Sequence, residues 1–147
     1  MLSNTCKYAV RAVIYLAINE EPSKKIGIKQ ISKELDIPSP FLGKILQSLA
    51  KQKLLASTKG PHGGFSLGKP AENISLLDIV EIIDGLDVFN VCLVGMKFCV
   101  GHEERKTICP LHQRSGPIRN DLFEMFKNQT IGGSALDLKK VGNFIDL

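Results

Sequence analysis

The stretch IKQISKELDIPSPFLGKILQSLAKQKLLASTKGPHGGFSLG, residues 28–68, decides the fold. Ile28, Ile31 and Leu35 recur at spacings of three and four, the period of one helical face. The helix they predict must stop at Asp36-Ile37-Pro38, because proline disfavours helical geometry in the residue before it. Ser39 then reads as an N-cap with Pro40 at the first helical position, where a missing N–H costs nothing. In the helix that follows, Phe41, Leu42, Ile45, Leu46 and Leu49 line one side, and Gly43, Lys44, Gln47, Ser48 and Lys51 fall largely on the other. Leu54 to Thr58 and Phe65 to Gly68 are short extended segments, joined by Lys59-Gly60-Pro61-His62-Gly63-Gly64, a composition suited to a tight hairpin.

Outward from this unit, apolar residues crowd nearly every face between Tyr8 and Ile18, which predicts a first helix packed on several sides and ending near Asn19 and Pro22. Arg11 interrupts that stretch, which is also too short to cross a bilayer and carries no cleavage site, so a cytoplasmic protein without membrane association is expected. Downstream, Ser75 and Asp78 form a capping-box pattern that opens a helix through Ile83, closed by Gly85. From Leu86 to Ser115 the periodicity fades into a long loop. Gly116-Pro117 starts a last long helix with Ile118, Leu122, Met125 and Phe126 as its apolar stripe, opposite Asp121, Glu124 and Lys127. A short helical segment, Ser134 to Val141, follows.

The expected fold is therefore mainly α with a small β-hairpin: a winged helix-turn-helix unit over residues 1–85, a cysteine-containing loop over 86–115, and a long helix with a C-terminal segment over 116–147. Charge divides in the same way. Met1 to Pro70 holds 11 Lys/Arg against 4 Asp/Glu, whereas Ala71 onward holds 8 against 11. A basic front half built on two helices, a tight turn and a hairpin suits duplex DNA, since a helix fits the major groove and cations at the wing neutralise phosphates. The residues placed for that work are Ser39, Pro40, Lys44, Gln47 and Lys51 on the helix and Lys59, Gly60, His62, Gly63 and Gly64 on the wing, where glycines permit close backbone approach. No nucleophile–base pair, phosphate loop or paired-carboxylate motif accompanies them, which argues against an enzyme.

The long loop carries its own chemistry. Cys92, Cys99 and Cys109 are separated by six and nine residues, and His112 follows after two more. In a reducing compartment these are thiols, and thiolates with one histidine suit iron–sulfur ligation. Zinc is matched less well, because only Cys109 and His112 form a close pair. Cys6 stands apart: a buried small hydrophobe, a reactive thiol, or a further ligand reaching across a dimer.

The wing segment Lys59-Gly60-Pro61-His62-Gly63-Gly64-Phe65-Ser66-Leu67-Gly68-Lys69, with Lys7-Tyr8-Ala9-Val10-Arg11-Ala12, resembles the IscR and NsrR family of bacterial transcription regulators from about Leu2 to Lys127. The resemblance implies a homodimer formed by crossing the helix that contains Ile118 to Phe126, a roughly palindromic double-stranded operator, and an iron–sulfur cluster held by Cys92, Cys99, Cys109 and His112. Cys109-Pro110-Leu111-His112 matches the ending of that family's cluster loop, while the gaps between cysteines are longer and leave [2Fe-2S] or [4Fe-4S] open. Lys7 stands where some relatives supply a carboxylate ligand. Exposed thiolates oxidise, so a sample prepared in air can lack the cluster. The alternative is a DNA-binding regulator without a cluster, governed by thiol oxidation, a small effector or a protein partner.

Overall fold

The computed structural model describes residues 2–92 and 110–142. Six helices and one hairpin are found among them: α1 Asn4–Ile18, α2 Ile28–Leu35, α3 Ser39–Lys51, β1 Leu55–Thr58, β2 Gly64–Leu67, α4 Leu76–Ile83, α5 Pro110–Asn128 and α6 Ile131–Val141. This is the mainly α architecture with a small antiparallel wing that the sequence predicts. None of these helices is long and apolar enough to cross a membrane.

α1 is the central scaffold. Ser3 caps it by accepting the Cys6 N–H, and Ala9, Ala12, Val13 and Leu16 are buried against the other elements. The Arg11 guanidinium, which interrupts the apolar run, donates to the Leu35 carbonyl at 3.2 Å and so satisfies an orphan acceptor at the end of α2. α2 ends with Asp36 in the left-handed region at φ 52°, and the Ile37 N–H returns to the Ser32 carbonyl. Ile37 itself is buried, pinning the turn between α2 and α3 to the core. α3 begins one residue earlier than expected: Pro38 is the cap and Ser39 the first helical residue, with no side-chain cap bond. Leu42, Ile45, Leu46 and Leu49 bury the inner face of α3.

The hairpin pairs Leu55 with Leu67 and Thr58 with Gly64. Ile26 adds a bridge on the far side of β2, exchanging both backbone bonds with Phe65 at 2.9 Å. The wing is thus tied to the segment that leads into α2. In α4 both halves of the capping box form, Asp78 N–H to Ser75 Oγ and Ser75 N–H to the Asp78 carboxylate.

The C-terminal third departs from the sequence expectation in three ways. The last long helix starts at Pro110, not at Gly116-Pro117. Pro110 is its first described residue, and Pro117 lies inside, where it has no N–H to give the Gln113 carbonyl. Phe126 leaves the stripe assigned to it: with Phe123 it packs edge-on against Phe89, at centroid distances of 5.8 and 5.4 Å. α6 starts at Ile131, earlier than Ser134, capped by Thr130, and it buries Ile131 and Ala135 in the same core as α1. The Ile131 N–H bonds to the Ile74 carbonyl, so the chain returns from α5 to the entrance of α4.

Candidate functional site

Two surfaces hold the residues singled out in the sequence. On α3, Pro40, Lys44, Gln47, Ser48 and Lys51 are exposed, while Ser39 is half-buried. Their exposure follows from the burial of the opposite face, because a helix with Leu42, Ile45, Leu46 and Leu49 inside must turn those positions outward. At the hairpin tip Lys59, Gly60 and His62 are exposed. Lys25 bonds to the Thr58 hydroxyl and steadies the base of that tip.

Gly63 and Gly64 differ from their neighbours. Gly63 is half-buried and Gly64 buried. A Cβ on Gly63 would lie 2.2 Å from the Thr58 carbonyl oxygen, and one on Gly64 would lie 2.5 Å from that of Ile26. Glycine at these two positions is demanded by the closing of the hairpin and its seat on Ile26, before any ligand is considered.

The second surface is the N-terminal end of α5. His112 is half-buried there, as is Cys92 in the segment that reaches α5 through Val91, whereas Cys99 and Cys109 lie outside the described residues. Arg119, only 8% exposed, joins the two segments. Its Nη1 donates to the Val91 carbonyl at 2.7 Å and its Nη2 to His112 Nδ1 at 3.2 Å. The guanidinium has no lone pair to accept with, so the ring nitrogen is the acceptor. Sequence reading missed Arg119, since one arginine on an amphipathic helix gives no signal that distinguishes a buried tie from a solvated charge. Among the described residues no three potential ligands cluster. The backbone beside Cys92 and the ring of His112 nonetheless meet on one side chain, and Cys109 directly precedes α5. By donor chemistry alone, the thiol of Cys92 and the imidazole of His112 are the soft and borderline ligands that thiolate–imidazole metal groups use.

Cys6 is not part of that surface. It is fully buried in a small second core with Val80 and Phe89. Burial, and secondarily the negative charge of Asp84, pushes its thiol from 9.0 up to about 12. Of the readings open from sequence, the buried hydrophobe is the one this environment matches. The native Cys6 should resist iodoacetamide at pH 8 and react after unfolding in urea; rapid native alkylation would contradict its burial. Because the folded state holds this proton more tightly, the contribution is complete below about pH 9 and is lost as pH rises through about 12. Cys6→Ala should therefore flatten the alkaline fall in stability measured by urea melts.

Comparison with known proteins places this arrangement. A family model described as Rrf2, an iron-dependent transcriptional regulator, matches residues 2–133. The chain belongs to the Rrf2 family. IscR of Cronobacter sakazakii is 34% identical over 131 residues, covering 89% of this chain and 77% of that protein. Among solved structures, CymR, the global cysteine regulator of B. subtilis, superposes with a TM-score of 0.75 at 20% identity, covering 92% of this chain and 95% of that one. T. potens IscR gives a TM-score of 0.74 at 17% identity, covering 97% and 91%. These two structural likenesses establish the fold, and the Rrf2 match with the curated relatives establishes a helix-turn-helix transcriptional regulator in a family of regulators rather than enzymes.

Proposed function

We propose that this chain works in the cytoplasm as a homodimeric regulator that reads a roughly palindromic double-stranded DNA site and changes its binding with an iron–sulfur cluster held by Cys92, Cys99, Cys109 and His112. The observation that carries the DNA reading is the outer face of α3: Lys44, Gln47, Ser48 and Lys51 are exposed together above a buried inner face. Lys44, Gln47 and Lys51 reach base edges and phosphates in the major groove, with Ser39 and Pro40 at the helix start beside the backbone. Lys59, Gly60 and His62 at the hairpin tip lie along the sugar-phosphate backbone or minor groove, and Gly63 and Gly64 keep that tip narrow. Two such heads on one dimer sit about one helical turn of DNA apart.

The cluster would supply redox chemistry and a charged anchor for residues 92–112. This chain's part is to tie Val91 and His112 to Arg119 of α5, so that gain or loss of the anchor is passed to the helix carrying the proposed dimer face. [2Fe-2S] and [4Fe-4S] remain equally compatible with the donor set. Support comes from the Rrf2 match and from the IscR relatives.

Lys44→Ala and Lys59→Ala should each lower the slope of log affinity against log salt by about one unit, read by fluorescence anisotropy on an operator fragment. An unchanged slope removes that lysine from the phosphate contacts. Anaerobic reconstitution with iron and sulfide should give visible absorbance that Cys92→Ala, Cys99→Ala or Cys109→Ala abolishes. An unaltered spectrum in those variants rejects the ligand set and favours a regulator governed by thiol oxidation, an effector or a partner.

A further inference from the structure

Arg119 is buried and charged, and among the described residues no carboxylate pairs with it. Buried cations ordinarily sit against an anion, because desolvation is repaid poorly by neutral acceptors. Here the guanidinium spends its donors on a carbonyl and an imidazole, 28 and seven residues away in the chain. The consequence for His112 is specific. Arginine only donates, so the Nδ1 lone pair is engaged and the proton of the neutral ring sits on Nε2. Neither ring nitrogen then offers a lone pair to a metal. For a neutral His112 to ligate through Nδ1 it must displace Arg119; to ligate through Nε2 it must put a proton on Nδ1, facing a donor.

The geometry points to Arg119 as a latch that competes with metal for His112, holding the ring and the Val91 carbonyl together in the metal-free state and releasing the ring when a metal is bound. This rests on the ligand set proposed above. Arg119 also neighbours Ile118 on α5, an exposed member of the apolar face, so release of the latch acts on the same helical turn as the dimer surface. The latch is thus a positioning device: it sets the ease with which the His112 ring is recruited and couples that recruitment to α5.

The test uses cobalt(II) as a spectroscopic probe on the anaerobic, metal-free full chain, comparing wild type, Arg119→Met, His112→Ala and the double variant. Removing a cation near a dication alters affinity in both backgrounds, so the decisive quantity is the difference between them. Arg119→Met should tighten cobalt binding about tenfold more when His112 is present than when it is alanine, the worth of one hydrogen bond to a charged group. Equal effects in the two backgrounds, or a larger tightening without His112, would overturn the latch while leaving the ligands intact. Failure of folded wild type to bind cobalt at all would remove the ligand set and the latch with it.

A second readout needs no metal: long-range proton–nitrogen spectra of the metal-free wild type should show His112 protonated on Nε2. Protonation on Nδ1 would overturn the proposal. Arg119→Lys keeps the charge but lacks the two-pronged geometry, and should give an intermediate cobalt affinity if Arg119→Met fails to fold.

Discussion

Ile118→Glu should convert the proposed dimer to a monomer and weaken operator binding by about two orders of magnitude or more, without disturbing the fold of the chain. α5 carries two adjoining apolar faces. One, with Phe123 and Phe126, packs on Phe89 and the second core of its own chain. The other leaves Leu111 44%, Ile118 69%, Leu122 44% and Met125 49% exposed. Four large apolar side chains along one line of a helix are an expensive surface to leave wet, and in a twofold interface each is buried twice. Removing Ile118 from both copies forfeits about 3–6 kcal/mol of burial, and two glutamates brought near the axis add repulsion. The dimer constant then weakens by at least a hundredfold, measurable by sedimentation. DNA affinity follows because the second head loses the effective concentration that its tether to the first provides. Phe123→Ala is the contrasting control: it should lower thermal stability through lost packing on Phe89. If Ile118→Glu still sediments as a dimer, the exposed face of α5 is not the interface.

Much of this arrangement is legible in the sequence where the cause is local. The capping box at Ser75 and Asp78, the stop at Asp36-Ile37-Pro38 and the glycine-rich hairpin rest on backbone preferences that act within a few residues; each forms, with the second strand one residue earlier than read, at Gly64–Leu67. The start of α5 is hidden by Pro117, which looks like a first-turn proline although the helix already runs from Pro110. Periodicity grouped Phe126 with Ile118, Leu122 and Met125, since it cannot separate a face covered by the chain's own Phe89 from the neighbouring face left open. Arg11 and Arg119 were harder still. Their acceptors, the Leu35 and Val91 carbonyls, lie 24 and 28 residues away and are chosen by tertiary packing. The return of α6 onto α1 is likewise non-local and left no periodic trace beyond an apolar helix.

Gly64→Ala should cost about 2–4 kcal/mol of stability, a fall in melting temperature of roughly 10 °C, while the salt slope of the remaining folded protein stays near that of wild type. The added Cβ would sit 2.5 Å from the Ile26 oxygen and 2.7 Å from its carbonyl carbon. Both atoms are backbone and cannot swing aside like the end of a side chain. Relief requires Ile26 to move, yet Ile26 is buried and exchanges two backbone bonds with Phe65. Its displacement would stretch both bonds and disturb Gly27, the residue that caps α2. The penalty is overpacking plus weakened hydrogen bonds, each worth about 1 kcal/mol or more. Lys59→Ala provides the converse, because an exposed side chain at the hairpin tip contributes little to folding and its loss should reduce the salt slope alone. A calorimetric and anisotropy comparison of the two variants separates what glycine does for the wing from what the wing does for DNA. Gly64→Ala melting within 1 kcal/mol of wild type would mean that the Ile26 bridge yields easily, and would return Gly64 to a direct role at the DNA backbone.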